Sequence, residues 1–155
     1  MIGANGKGYI QSGTWDAPTW GTEMTSISDT SNNLTWEQIV LATRACKINL
    51  YEPGQGELEF PVKMRVSTAA DYLALAEACV TRARVDVLML DGDKATEGTR
   101  GFRAQCYVFQ KNTDLALASG TFDDFVLKPA VPDVSTRLPQ RVSVGSGGTI
   151  TYTSL

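Results

Sequence analysis

The sequence contains no histidine, and with it goes the side chain that most often serves as general base or metal ligand. Cysteine is scarce: Cys46, Cys79 and Cys106 form an odd set at wide spacings, with no Cys-x-x-Cys pair. They cannot replace imidazole in a zinc site and allow at most one internal bridge, so buried reduced thiols are the expected state. No apolar run approaches the ~20 residues of a membrane-spanning helix. Residues 1–18 hold no stretch of signal-peptide length behind Lys7, so neither membrane association nor export is expected. Positive charge is also short, with 14 Lys and Arg against 17 Asp and Glu for a net charge of -3. Gripping nucleic acid by neutralising phosphates needs clustered cations that this balance does not supply. Neither an enzyme nor a cofactor-binding protein is expected.

What is present is an ordinary globular composition. The 155 residues, 43% hydrophobic and 20% charged, suffice for one domain that buries roughly 70% of its unfolded surface. Residues 1–22 are rich in Gly, Thr and Trp without periodicity and read as an extended arm. Trp15 and Trp20 are too large and apolar to leave in water, so the arm docks them on its own domain or on a neighbouring subunit. Residues 23–131 read as a mainly β domain, an antiparallel sandwich or barrel of about six to eight strands with one α-helix packed on it. Residues 132–155 read as a proline-bearing connector and a hairpin turned by Gly145, Gly147 and Gly148. A lone hairpin is marginal in water and needs the domain or another chain to pair with.

Within the β domain, SISD is a short strand and the β-prone segment from Leu34 to Tyr51 a long one. EPGQG at 52–56 carries a turn signal, Pro53 presetting φ and Gly54 supplying a positive φ. The returning strand alternates strictly. Leu58, Phe60, Val62, Met64 and Val66 share one face, and Glu57, Glu59, Pro61, Lys63 and Arg65 the other, so one face is buried and one wet. Pro61 cannot donate to a ladder and suggests an edge or a bulge. A helix is expected at about 68–81, opened by Thr68 and Asp71 as a capping box. Its apolar stripe is Tyr72, Leu75, Ala76, Cys79 and Val80, with Arg82 and Arg84 at the negative pole. Such a helix lies across the greasy face of the sheet and closes the core.

The chemical motifs are weak. GANGKG at 3–8 lacks the spacing, the Ser or Thr after Lys, and the preceding strand of a phosphate loop. Asp91, Asp93 and Glu97 lie near each other but are flanked by strands, not by the helices of a calcium-binding hand. Asp123 and Asp124 are consecutive strand residues pointing to opposite faces, so they do not converge as a catalytic pair. Asn33 opens a formal glycosylation acceptor that means nothing without export. No constellation supplies a nucleophile with its base, a metal set or a phosphate cradle.

The order of the early strand SISD, the hairpin through YEPGQGELEF, the helix TAADYLALAEAC leading into VDVLMLDGD, and the pair GFRAQCYVFQKN and GTFDDFVLKPA resembles the tail tube (major tail) protein family of tailed bacteriophages. The resemblance covers roughly Met24 to Val131 and is one of order and spacing. It implies a structural virion protein of the phage tail, assembled in the cytoplasm of the bacterial host. Six copies form a ring with a continuous β-barrel as inner wall, and rings stack into a hollow tube that conducts DNA during ejection. The implied partners are other copies of the chain and further tail proteins such as tape measure, tail tip and terminator, with DNA passing through unbound. An acidic wall suits that role because it repels phosphate at short range.

On this basis the wet residues Glu57, Glu59, Lys63 and Arg65 line the lumen or make ring contacts. Trp15, Trp20, Arg141, Val142, Val144, Ile150 and Tyr152 are candidates for contacts between subunits or successive rings. The competing readings are another phage assembly protein, a capsid decoration or tail terminator protein, and a carbohydrate-binding β-sandwich module that stacks sugars on Trp15, Trp20 or Trp36.

Overall fold

The computed structural model describes residues 6–12, 14–41, 50–116, 120–131 and 136–155. Among them ten strands and one α-helix follow in chain order: β1 (Lys7–Ile10), β2 (Thr22–Glu23), β3 (Ile27–Thr30), β4 (Asn33–Leu41), β5 (Leu50–Arg65), α1 (Ala70–Thr81), β6 (Val85–Leu90), β7 (Arg100–Ala116), β8 (Gly120–Pro129), β9 (Gln140–Val144) and β10 (Ile150–Ser154). Six of the ten, β3 to β8, fall in the 23–131 segment. The pairings are antiparallel, and the sheet curls into a half-barrel in the order β2-β1-β6-β7-β8-β5-β3. β4 pairs with β5, and β9 joins the first part of β7 and carries β10.

The alternation in β5 builds the core. Leu58, Phe60, Val62 and Met64 are buried on one face of the sheet with Phe125 and Leu127 of β8, Ala104, Cys106 and Val108 of β7, and Val87 and Met89 of β6. α1 covers this side with Tyr72, Leu75 and Ala78. At about 25 cal/mol per Å² of apolar surface, burying such side chains is the main favourable term in folding. Burial also pushes the Cys106 thiol pKa upward, so this thiol is inert. Cys79 is a half-buried free thiol, and Cys46 lies outside the described residues.

The helix departs from expectation at both ends. It starts at Ala70, and Ala69 occupies the N-cap without a side-chain hydrogen bond. Asp71 forms no capping box because the connection before β3 offers it better donors: its carboxylate accepts the Ser26 N–H at 2.9 Å and the Ser26 hydroxyl at 3.0 Å. Val80 is 80% exposed, since the helix packs through Tyr72, Leu75 and Ala78 at a spacing of three and turns Val80 outward. Arg82 ends the helix in a left-handed conformation (φ 57°) with its N–H on the Ala78 carbonyl, and Arg84 stacks 5.4 Å over the Tyr107 ring.

EPGQG is not a turn. β5 runs unbroken through it, with Glu52 opposite Ile39, Pro53 opposite Gln38 and Gly56 opposite Trp36, and Gly54 has no positive φ. The register shift leaves Gly54 and Gln55 facing Glu37 alone, which is a β-bulge. Pro53 stands opposite Gln38 of β4, the one neighbour β5 has there among the described residues, and a strand with one side open is where proline is tolerated. The connection between β4 and β5 falls at 42–49, outside the described residues. Pro61 lies where β3 gives way to β4: its carbonyl accepts the Ser31 N–H at 3.2 Å and the Thr30 hydroxyl at 3.1 Å. The N and O of one strand residue point the same way, so its missing donor falls at that break.

The arm is more regular than its sequence suggests. Lys7–Ile10 pairs with both β2 and β6. Together with the C-terminal hairpin it covers the other face of β6 and β7, where Tyr9, Trp20, Leu88, Leu90 and Val142 make a second core with Ile150 and Tyr152 against it. Gly147 (φ 70°) and Gly148 (φ 77°) turn that hairpin, a conformation that side-chain-bearing residues rarely adopt.

Candidate assembly surfaces

The arm and the C-terminal hairpin meet on Arg103. This buried side chain of β7 stands opposite Leu88 of β6 and Gln140 of β9. Its guanidinium lies 3.7 Å over the Trp15 ring, 4.6 Å over Tyr152 and 5.5 Å over Trp20, and it donates to the Trp15 carbonyl and to Gln11. Burial pulls its pKa below the usual arginine range, and the surrounding π faces offset part of the cost of holding the charge there. Lys94 adds a second latch, its ammonium on the Trp20 carbonyl and over the Tyr9 ring. Trp15, Trp20, Val142 and Val144 are thus buried within the chain itself, while Arg141 is exposed and Ile150 and Tyr152 keep part of their surface.

On the face of β5, β8 and the second half of β7 opposite α1, nothing in the described chain covers the sheet. Glu57, Glu59, Lys63 and Arg65 all lie on this face. Lys63 stands opposite Asp124, Arg65 opposite Phe122 and Tyr107 opposite Lys128. Lys128 reaches Glu57 at 2.7 Å and Glu59 at 3.6 Å, and the hydrogen bond to Glu57 is the main cause that raises its pKa. Lys63 sits 5.6 Å over the Phe122 ring. The described charges on this face balance, Glu57, Glu59 and Asp124 against Lys63, Arg65 and Lys128.

The β4–β5 hairpin projects beyond the sheet with two unlike faces. Leu34, Trp36, Val40, Tyr51 and Pro53 continue the face of Leu58, whereas Glu37, Ile39 and Glu52 continue that of Glu57. Trp36 is 53% and Tyr51 58% exposed. Among the described residues, β5 before Glu59 pairs only with β4, β4 only with β5, and β7 beyond Cys106 only with β8. These strand sides present unpaired backbone donors and acceptors, a template for another chain.

The residues weighed for chemistry are engaged elsewhere. Asp123 is buried and accepts the Tyr72 hydroxyl at 2.6 Å and the Lys111 ammonium at 3.2 Å, while Asp124 is exposed on the other face. Asp91 accepts the Arg100 N–H, and Asp93 the Ala95 N–H and the Lys7 ammonium. Among the described residues no group of three or more His, Cys, Asp or Glu is placed to hold a metal, and no helix is long and apolar enough to cross a membrane. Sequence reasoning put Asp123 and Asp124 on opposite faces, as they are, but missed Arg103 and the buried contacts of Asp123. A charged residue inside an apolar strand was the available signal for the first, but its aromatic partners come from both chain ends.

No family model and no curated protein sequence matches the chain. Its fold does match solved structures. The SPP1 tail tube protein superposes with a TM-score of 0.62 at 10% identity, covering 83% of this chain and 74% of that one. A chain in the virion of a native gene transfer agent gives 0.61 at 7% identity over 99% of both. A chain in the tail of the empty gene transfer agent particle, computed with C6 symmetry, gives 0.60 at 8% identity over 94% and 95%. The half-barrel with its single covering helix is therefore the tail tube fold.

Proposed function

We propose that this chain is the structural subunit of a phage-type tail tube, six copies closing into a ring and rings stacking into a hollow conduit for DNA. One observation carries the reading: the sheet has the tail tube fold, yet among the described residues the β4–β5 hairpin and the second half of β7 have unpaired strand sides. An isolated sheet that leaves such sides open invites edge pairing, and a head-to-tail contact between unlike sides closes into a ring when the rotation fits. The uncovered face of Glu57, Glu59, Lys63 and Arg65, opposite α1, then forms the lumen wall. Among its described charges on β5 and β8 the cations are matched in number by carboxylates, so it offers DNA no basic patch to grip. In this role the chain works in the virion tail, meets tape measure, tail tip and terminator proteins, and is assembled in the host cytoplasm. Arg141, Ile150 and Tyr152 supply contacts between subunits or rings.

Negative-stain electron microscopy of the purified protein across a concentration series tests this. Hollow tubes with a regular ring repeat are expected. Finite rings or trimers under every condition, including with a tail-tip initiator present, would replace the tube by a terminator or decoration role.

A further inference from the structure

We propose that the apolar face of the β4–β5 hairpin, centred on Trp36, docks in the cavity between the end of α1 and the free side of β7 on a second copy of the chain. The proposal rests on the tube reading and names the contact that joins neighbouring subunits. The donor surface is preformed. A Cβ at Gly56 would come within 3.0 Å of the Trp36 ring, so glycine there lets the indole lie against the opposing strand while its outer side stays open. An aromatic anchor fixed before the partner arrives loses little conformational entropy on binding, and tryptophan is among the residues that most often dominate interfaces.

The receiving surface is an apolar cavity of about 410 Å³ lined by Cys79, Arg82, Tyr107, Val108 and Phe109. It exists because the register of β7 against β8 shifts between Val108 and Gln110. The bulge leaves Phe109 unpaired and 63% exposed, its ring edge-on to Tyr107 at 6.0 Å. Arg82 is the one charged residue of the lining, and the hairpin face offered to it carries Leu34, Trp36, Val40 and Tyr51, while Glu37 and Glu52 lie on the hairpin's other face, so the contact is apolar at its centre.

The topology makes the occupant another copy. Gly56, beneath Trp36, lies four residues along β5 from Phe60, and Phe60 is separated from Val108 by Leu127 of β8. Knob and cavity therefore sit on different sides of the central strand. Two unlike surfaces on one chain give a head-to-tail interface, the kind that generates rings.

Cross-linking in the assembled protein tests the contact. In a Cys46→Ser background, Trp36→Cys is treated with a short bismaleimide whose length stands in for the missing indole. Multimer ladders that disappear on adding Cys79→Ser are expected. In the Cys46→Ser protein with Trp36 intact, Cys79 alkylation is compared between tubes and unassembled chain. Labelling is expected to fall at least roughly tenfold in tubes, because an interface core excludes the reagent. Should Trp36→Cys fail to assemble, the Cys79 labelling decides alone. Tubes in which Cys79 labels as fast as in the free chain overturn the docking proposal and leave the tube reading standing. A chain that stays monomeric throughout overturns both.

Discussion

The Trp20 indole donates its N–H to the Tyr152 hydroxyl at 2.9 Å, joining residues 132 positions apart and tying the N-terminal arm to the C-terminal hairpin. Both rings also face Arg103, so three segments share one latch. Trp20→Phe removes the donor while keeping most of the ring and is expected to cost about 1 kcal/mol, the usual worth of a hydrogen bond. Trp15→Ala uncovers the guanidinium at its nearest contact and is expected to cost about 3 kcal/mol, as for a buried aromatic. Urea melts of the unassembled chain measure both. Additive losses in the Trp20→Phe/Tyr152→Phe double variant would show that the two rings are not coupled through this bond.

Asp123 links the helix to the sheet. Burial pushes its carboxyl pKa up, but the Tyr72 hydroxyl, Thr113 and Lys111 outweigh this and hold it below its ordinary 3.8. The carboxylate's contribution to stability is thus complete above 3.8 and is lost as pH falls through the lower folded-state value. Tyr72 behaves oppositely. Its hydrogen bond to Asp123 pushes its pKa from 10.0 up to about 12, so its contribution is complete below 10 and is lost as pH rises through about 12. Asp123→Asn is expected to cost about 2 kcal/mol at neutral pH and to flatten the acid limb of the stability profile. Tyr72→Phe is expected to flatten the alkaline limb. Melting temperature against pH for the two variants checks the assignment.

Gly101 sits where β7 passes β6, opposite Leu90. A Cβ there would lie 1.8 Å from the Met89 carbonyl oxygen and 2.9 Å from the Leu90 Cα. Both neighbours are backbone of a buried strand, so relief requires the strands to part. Gly101→Ala is expected to destabilise the chain by about 3 kcal/mol, an overpacking cost, and a denaturant midpoint within error of the parent would refute this packing.

These variants mark where the sequence was legible. The alternation from Leu58 to Val66 predicted a buried face, and Leu58 to Met64 are buried while Val66, one residue past the end of β5, is exposed, because period two is a local property that holds only as far as the strand runs. The helix was legible for the same reason. The EPGQG segment misled because a proline-glycine pair is read as a turn unless the neighbouring strands are known. Beside an unpaired strand side it makes a bulge instead, and only the pairing of Trp36 with Gly56 reveals this. Asp71 misled likewise: its partner, Ser26, is 45 positions away, beyond any capping pattern. Arg103 and Asp123 are long-range in the same sense, their partners set by topology. Glu57 and Lys63 could be placed on a wet face, but which face of an assembled ring that becomes depends on other copies.

The charge balance of that face gives the last prediction. Lys128 is held by Glu57 and Glu59, exposed pairs of the kind that contribute at most about 1 kcal/mol. Changing both acids to lysine should therefore leave the unassembled chain close to its parent in stability. Among the described charges of β5 and β8 on this face, however, three anions and three cations become one anion, Asp124, and five cations. If it lines the tube, every ring presents that excess six times around the DNA path, and each further phosphate neutralised steepens the dependence of log K on log salt by roughly 0.9. Glu57→Lys/Glu59→Lys tubes are expected to retain double-stranded DNA fragments in a salt-sensitive way, measured by co-sedimentation, where parent tubes retain none. Glu97→Lys/Asp16→Lys, placed on exposed segments away from this face, adds the same charge and controls for nonspecific attraction. Equal retention by both variants would remove this face from the lumen, since charge alone would then account for binding wherever it is placed.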